Sequence, residues 1–190
     1  MKKLILLLAL CFIATNVKAH FFELTSNGFI NSEDHSKDYV VFNFEGEKQQ
    51  ELFNYVLQAL GKTFVSPKNK ISPVEYTQIS ANGILENVTY RTIAGMRLEF
   101  DMFFNLIFEF KDEKIRINAP QILDIVQEGG KVHMYLTKAE RPNVILAHKA
   151  LFNNNGKVNE PKHKERIEMS INAFINDIIE RIKKAKESDW

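Results

Sequence analysis

Apolar residues along this chain recur with two periods, two and nearly four, and the changes of period divide it into strands and helices. The clearest run is Leu98, Phe100, Met102, Phe104, Leu106, Phe108 and Phe110, in strict alternation with Glu99, Asp101, Asn105, Glu109 and Lys111 between and after them. A helix would scatter these residues around its circumference, so the pattern predicts one long central strand with an apolar face. Lys111 to Lys114 makes a tight polar turn. Ile115, Ile117 and Ala119 then alternate with Arg116 and Asn118 in a returning strand that stops at Pro120. Upstream, Tyr39 to Phe44 is a β-branched and aromatic run that ends at Glu45-Gly46. Val74 to Ser80 and Ile84 to Thr92 read as two strands joined by a turn at Ala81-Asn82-Gly83.

Elsewhere the period lengthens. Leu52, Val56 and Leu60 recur every four positions with Phe53 and Leu57 beside them, predicting a helix from Glu47 closed by Gly61 as a left-handed cap. Ile167, Ile171, Phe174, Ile175, Ile178 and Ile182 share one face of a longer second helix, with Lys164, Glu168, Asn172 and Lys183 off it. Pro67 and Pro73 bracket a linker. Between Gln121 and Pro161 the pattern is weaker, with a short strand expected at Val132 to Leu136 and a loop at Asn153-Asn154-Asn155-Gly156. A sheet with one apolar face needs a cover, and the two helices supply it. The expected fold class is α+β: an antiparallel sheet of about five strands with two helices on one face, a single domain over residues 39–187. Residues 20–38 read as a polar leader, loosely ordered, with a turn signal at Asn27-Gly28.

Residues 1–19 read as a secretory signal peptide: Lys2 and Lys3 precede the apolar run Leu4 to Ile13, and Val17-Lys18-Ala19 forms a cleavage site. The mature chain is then expected to start at His20 and to be periplasmic or extracellular. The apolar run is about ten residues against the roughly 20 that span a bilayer, and no later stretch approaches that length, so no transmembrane segment is expected. A lipid anchor at Cys11 is the weaker alternative, because Leu10 stands where a small residue is needed and the apolar run would be cut in half. Cleavage after Ala19 removes the chain's one cysteine, which excludes thiolate chemistry and disulfides from the mature protein.

Composition adds exclusions. With 45% hydrophobic and 26% charged residues in 190, the chain is ordinary globular material. Lys plus Arg is 25 against 24 for Asp plus Glu, and loss of Lys2, Lys3 and Lys18 leaves a net charge of −2. Such a balance supplies no field that draws a protein onto phosphate backbones, so no nucleic-acid partner is expected.

The order strand, helix, four-stranded meander, long helix resembles the β-α-β4-α layout of TATA-binding-protein-like domains. More specifically, it resembles a family of secreted bacterial domains of unknown function assigned that fold. Three segments carry the resemblance. They are Phe44-Glu45-Gly46 before the first helix, Asp101 to Phe110 running into Lys111-Asp112-Glu113-Lys114-Ile115-Arg116-Ile117, and Leu151-Phe152-Asn153-Asn154-Asn155-Gly156-Lys157-Val158 before the last. They are structural signatures, so the resemblance implies a fold and carries over no catalytic or binding residue.

Candidate chemistry is sparse. Glu99 and Asp101 share a strand face about 7 Å apart, a spacing compatible with paired-carboxylate glycoside chemistry, yet two acids at i and i+2 are commonplace on a solvated sheet. Phe103 and Ile107 interrupt that polar face and, with Tyr76 or Tyr90 nearby, offer an apolar platform for a partner or a sugar ring; partial cover by the leader or by the insertion from Gln121 to Ala150 explains them equally well. His20 at a free N-terminus would chelate a metal only if His133, His148 or His163 converged on it, and no spacing supports that. No metal site and no cofactor is expected: zinc, calcium, phosphate-loop, dinucleotide and nucleophile-elbow motifs are all missing. Lys162, Lys164, Arg166, Arg181, Lys183, Lys184 and Lys186 read as the solvated ends of the last helix, and Asn87-Val88-Thr89 matches a glycosylation acceptor by pattern only. The expectation is therefore subtractive: an exported, non-enzymatic domain binding a protein or glycan in the cell envelope or extracellular space. The alternative is a hydrolase of an envelope or dietary polymer with Glu99 and Asp101 as its acids, and a third reading pairs the sheet edge with another chain.

Overall fold

The computed structural model describes residues 20–64, 69–93, 95–127, 129, 132–137 and 150–187. Residues 1–19, expected as a signal peptide and including Cys11, lie outside them, as do Pro67 and His148. In chain order the elements are β1 (Phe22–Thr25), β2 (Gly28–Asn31), β3 (Tyr39–Asn43), α1 (Gln49–Thr63), β4 (Lys70–Val74), β5 (Gln78–Ile93), β6 (Met96–Lys111), β7 (Lys114–Asn118), β8 (Gln121–Gln127) and α2 (Pro161–Glu187). The main sheet has six antiparallel strands in the order β3-β7-β6-β5-β4, with β8 also paired to β6. β1 and β2 form a separate hairpin.

The alternation in β6 is realised as expected. Phe100, Met102, Phe104, Leu106, Phe108 and Phe110 are buried on one face, where Ile79 and Ala81 of β5, Ile115 and Ile117 of β7 and Ile125 of β8 extend the apolar layer. Both helices close over it. α1 buries Leu52, Phe53, Val56, Ala59 and Leu60, and α2 buries Ile167, Ile171, Ile175, Ile178 and Ile182. Phe174 of α2 stacks on Phe64 and meets Phe104 edge-on, with ring centroids 5.8 and 5.3 Å away.

Four expectations need correction. The leader is not loose: β1 and β2 place Phe22, Leu24 and Phe29 in the core. Glu168 and Asn172, read as lying off the apolar face of α2, are 6% and 4% exposed and bind β1. Asn172 Oδ1 accepts from the N–H groups of Phe21 and Phe22 at 2.8 and 2.9 Å, its Nδ2 donates to the Phe22 carbonyl, and Glu168 Oε1 accepts from the Leu24 N–H at 2.7 Å. An otherwise bare strand edge is thus satisfied by helix side chains, which is why polar residues are buried there.

Ala81-Asn82-Gly83 is not a turn but the middle of β5; the chain reverses at Glu75-Tyr76-Thr77, with Tyr76 at φ 53°. Gly61 does not cap α1, which runs on to Thr63 and ends where the Phe64 N–H bonds the Leu60 carbonyl. The return strand β7 does stop at Asn118, just ahead of Pro120 as expected, and β8 then continues along the same edge of β6. The short strand expected at Val132 to Leu136 takes the form of a β-bridge beside β8, with Met134 N–H bonded to the Ile125 carbonyl.

Candidate binding surface

With both helices on the even-numbered side of β6, its odd-numbered residues form the opposite, outer face. Glu99, Asp101, Phe103, Asn105, Ile107 and Glu109 lie along it, each half-buried. On β5 they face Tyr90 across from Glu99, Ile84 across from Phe103, Asn82 across from Asn105 and Ser80 across from Ile107. On the other edge Asp124 faces Phe103, Gln121 faces Asn105 and Arg116 faces Glu109.

Phe103 and Ile107 therefore share this face with Ile84; Tyr90 lies on it too, opposite Glu99 and four positions along β6 from Phe103, whereas Tyr76 does not. Tyr76 packs edge-on against Phe53 of α1 at 5.5 Å, on the helix side. Tyr90 carries two guanidiniums, those of Arg97 and Arg166, at 3.9 and 4.2 Å from its ring centroid. Its hydroxyl also accepts from Arg166 Nη2 at 3.2 Å.

The two acids are each engaged. Glu99 pairs with Arg97 at 2.9 Å, and Asp101 Oδ1 accepts the Asn87 N–H at 2.9 Å, pinning a bulge of β5 where Asn87 stands at φ 55°. Beside Phe103, Asp124 Oδ1 lies 2.9 Å from His133 Nδ1. Sequence reasoning had no route to this pair, because only the β-bridge after β8 brings the two residues together. His163 sits instead against Thr89 Oγ1 at 2.8 Å; burial, with help from Arg91 and Arg166, pushes its imidazole below the usual value, against the opposing pull of Glu160. Among the described residues no three His, Cys, Asp or Glu side chains gather as a metal site would require.

A cleft of about 490 Å³ opens at one edge of this face. Its origin is a change of register. β7 pairs Phe108 with Ile117, whereas β8 pairs Asn105 with Gln121, so one extra residue is inserted at Ala119-Pro120; a second slip follows at Leu123. The return strand bends off β6 between these points. Ile107, Asn105, Arg116, Asn118, Gln121 and Leu123 line the opening from the sheet, and Asn27, Gly28 and Phe29 from the β1–β2 hairpin, with Asp38 beside them. Asp38 is fixed by its carbonyl, which accepts the Ala119 N–H at 2.6 Å. The sequence signal was Pro120 within a stretch that otherwise goes on alternating.

No family model matches the chain, and no curated protein matches it in sequence. Solved structures do match in shape. A TBP-like (TATA-binding-protein-like) protein from Parabacteroides distasonis superposes with a TM-score of 0.50 at 13% identity, over 76% of this chain and 90% of that one. A DUF4468 family protein from Bacteroides ovatus gives a TM-score of 0.51 at 11% identity, over 80% and 85% of the two chains. At such identities the likeness is one of fold. Together with the order β3-α1-β4-β5-β6-β7-α2, it shows that the chain has the TATA-binding-protein-like α+β fold, here with an N-terminal hairpin and β8 added.

Proposed function

We propose that the protein is an exported, non-enzymatic domain that binds a protein or glycan of the cell envelope or extracellular space on the outer face of its sheet. The observation that carries this reading is the asymmetry of the sheet. One face is sealed by two helices, while the other holds Phe103, Ile84 and Ile107 half-buried in a polar frame beside an open cleft. Hydrolysis is less well supported, because Glu99 and Asp101 already serve Arg97 and the Asn87 N–H. The charged and apolar pattern of residues 1–19 supports export.

The test is capture of cell-surface material by the tagged full-length chain, with the mature N-terminus read by mass spectrometry. The double substitution Phe103→Ser and Ile107→Ser is expected to weaken capture about ten-fold with melting unchanged. Undiminished capture would remove the face from consideration, and an N-terminus other than His20 would overturn the proposed cleavage.

A further inference from the structure

We infer that the cleft beside Pro120 binds a neutral sugar residue through its hydroxyl groups, an inference that rests on the binding-domain reading and names the ligand class. Its volume, about 490 Å³, lies within the roughly 300–1,000 Å³ of small-molecule sites. The lining alternates planar polar groups with apolar ones, Ile107 and Leu123 among them, and Leu123 stands 58% exposed at the register slip.

The hydrogen bonds decide the ligand. Asn105 spends both N–H bonds of its carboxamide internally, on Ser80 Oγ and Asn82 Oδ1 at 2.8 Å each, so what it has left is its carbonyl oxygen. The Asp38 carboxylate and the Gln121 carboxamide, both exposed, have no side-chain partner among the described residues. Arg116, the one cation among the described residues of the lining, is already engaged three ways: its Nε donates to Asn118 Oδ1 at 2.9 Å, it pairs with Glu109 at 3.7 Å, and it lies 4.0 Å above the Tyr39 ring. Asn118, its oxygen occupied and one N–H given to Glu109 Oε1, keeps one N–H. The free capacity of these residues is thus rich in acceptors, carries one negative charge and includes three amide N–H donors, two from Gln121 and one from Asn118. Adjacent hydroxyls, each donor and acceptor at once, complement that set. Among the described residues an anion would meet Asp38 without a free cation to offset it. The internal bonds also hold the floor in place before binding, which lowers the entropy lost on association.

The test uses the purified full chain against three arrays: neutral oligosaccharides of hexoses, pentoses, deoxyhexoses and N-acetylhexosamines; uronate- or sulfate-bearing oligosaccharides; and peptides. We expect binding to the neutral array, weakened about ten-fold or more by Asp38→Asn and by Gln121→Ala. Amide shift changes on adding the bound sugar should centre on 119–123. Both positions are solvent-exposed, and Asp38→Asn keeps the carbonyl bond to Ala119, so the variants should retain the native melting temperature. Preference for acidic sugars or peptides, no neutral ligand, or neutral binding indifferent to both substitutions overturns the inference. If capture dependent on Phe103 and Ile107 persists in those cases, the cleft assignment alone fails; if that capture is absent too, the binding-domain reading fails with it.

Discussion

A methyl group at position 83 would sit 2.7 Å from Cζ of Phe104 and 2.9 Å from Cζ of Phe64, closer than carbon atoms approach. Both rings are pinned by Phe174, so neither can retreat freely. Gly83→Ala is therefore expected to cost about 1–3 kcal/mol, read as a lower urea midpoint with an unchanged slope; a neutral result would show that the rings repack. The same residue explains why Asn82-Gly83 reads as a turn in the sequence. Reversals and close approaches both demand the missing Cβ, and only the partner strand tells them apart. Asn82 is likewise a ladder residue whose side chain meets Asn105.

Among the elements, α2 shows where periodicity succeeds and where it stops. The spacing of Ile167, Ile171, Ile175, Ile178 and Ile182 marks the buried stripe correctly, since burial follows from apolar residues at helical intervals. Glu168 and Asn172 escape that logic because their value lies in meeting the backbone of β1, which no pattern within the helix displays. Asn172→Ala would strip partners from the Phe21 and Phe22 N–H groups and the Phe22 carbonyl. We expect a loss of about 2–4 kcal/mol. Hydrogen exchange should show the Phe22 amide losing protection before those of β6, and uniform protection would contradict the assignment.

For the molecule as a whole, stability should carry the mark of His163. Its folded pKa lies below the ordinary value of 6.5, so above that value both folded and unfolded chains hold a neutral ring. As pH falls below about 6.5 the unfolded chain takes up a proton that the folded one resists, and stability declines until the folded pKa is passed. Glu23, lowered from 4.5 chiefly by its hydrogen bond to Lys164, loses its contribution in a separate and more acid window. Melting temperature is expected to drop between about pH 7 and 5, and His163→Gln to flatten that drop; an unaltered slope would place its cause elsewhere. The layered architecture was legible because a meander and two amphipathic helices announce themselves by period. The cleft was not, since it arises from two register slips between strands and the sequence displays only Pro120.

The link between Asn172 and β1 also orders events in time. The N–H of Phe22 and the carboxamide that receives it are separated by 150 positions. A chain emerging from the ribosome N-terminus first exposes its opening strand long before the helix that completes it has been made. Phe22 and Leu24 must wait, without their final seat, until the residues as far as Asn172 have been made. The native core can close only when α2 arrives, so a chain truncated before α2 would keep β1 paired with β2 but leave the Phe21, Phe22 and Leu24 N–H groups without their acceptors.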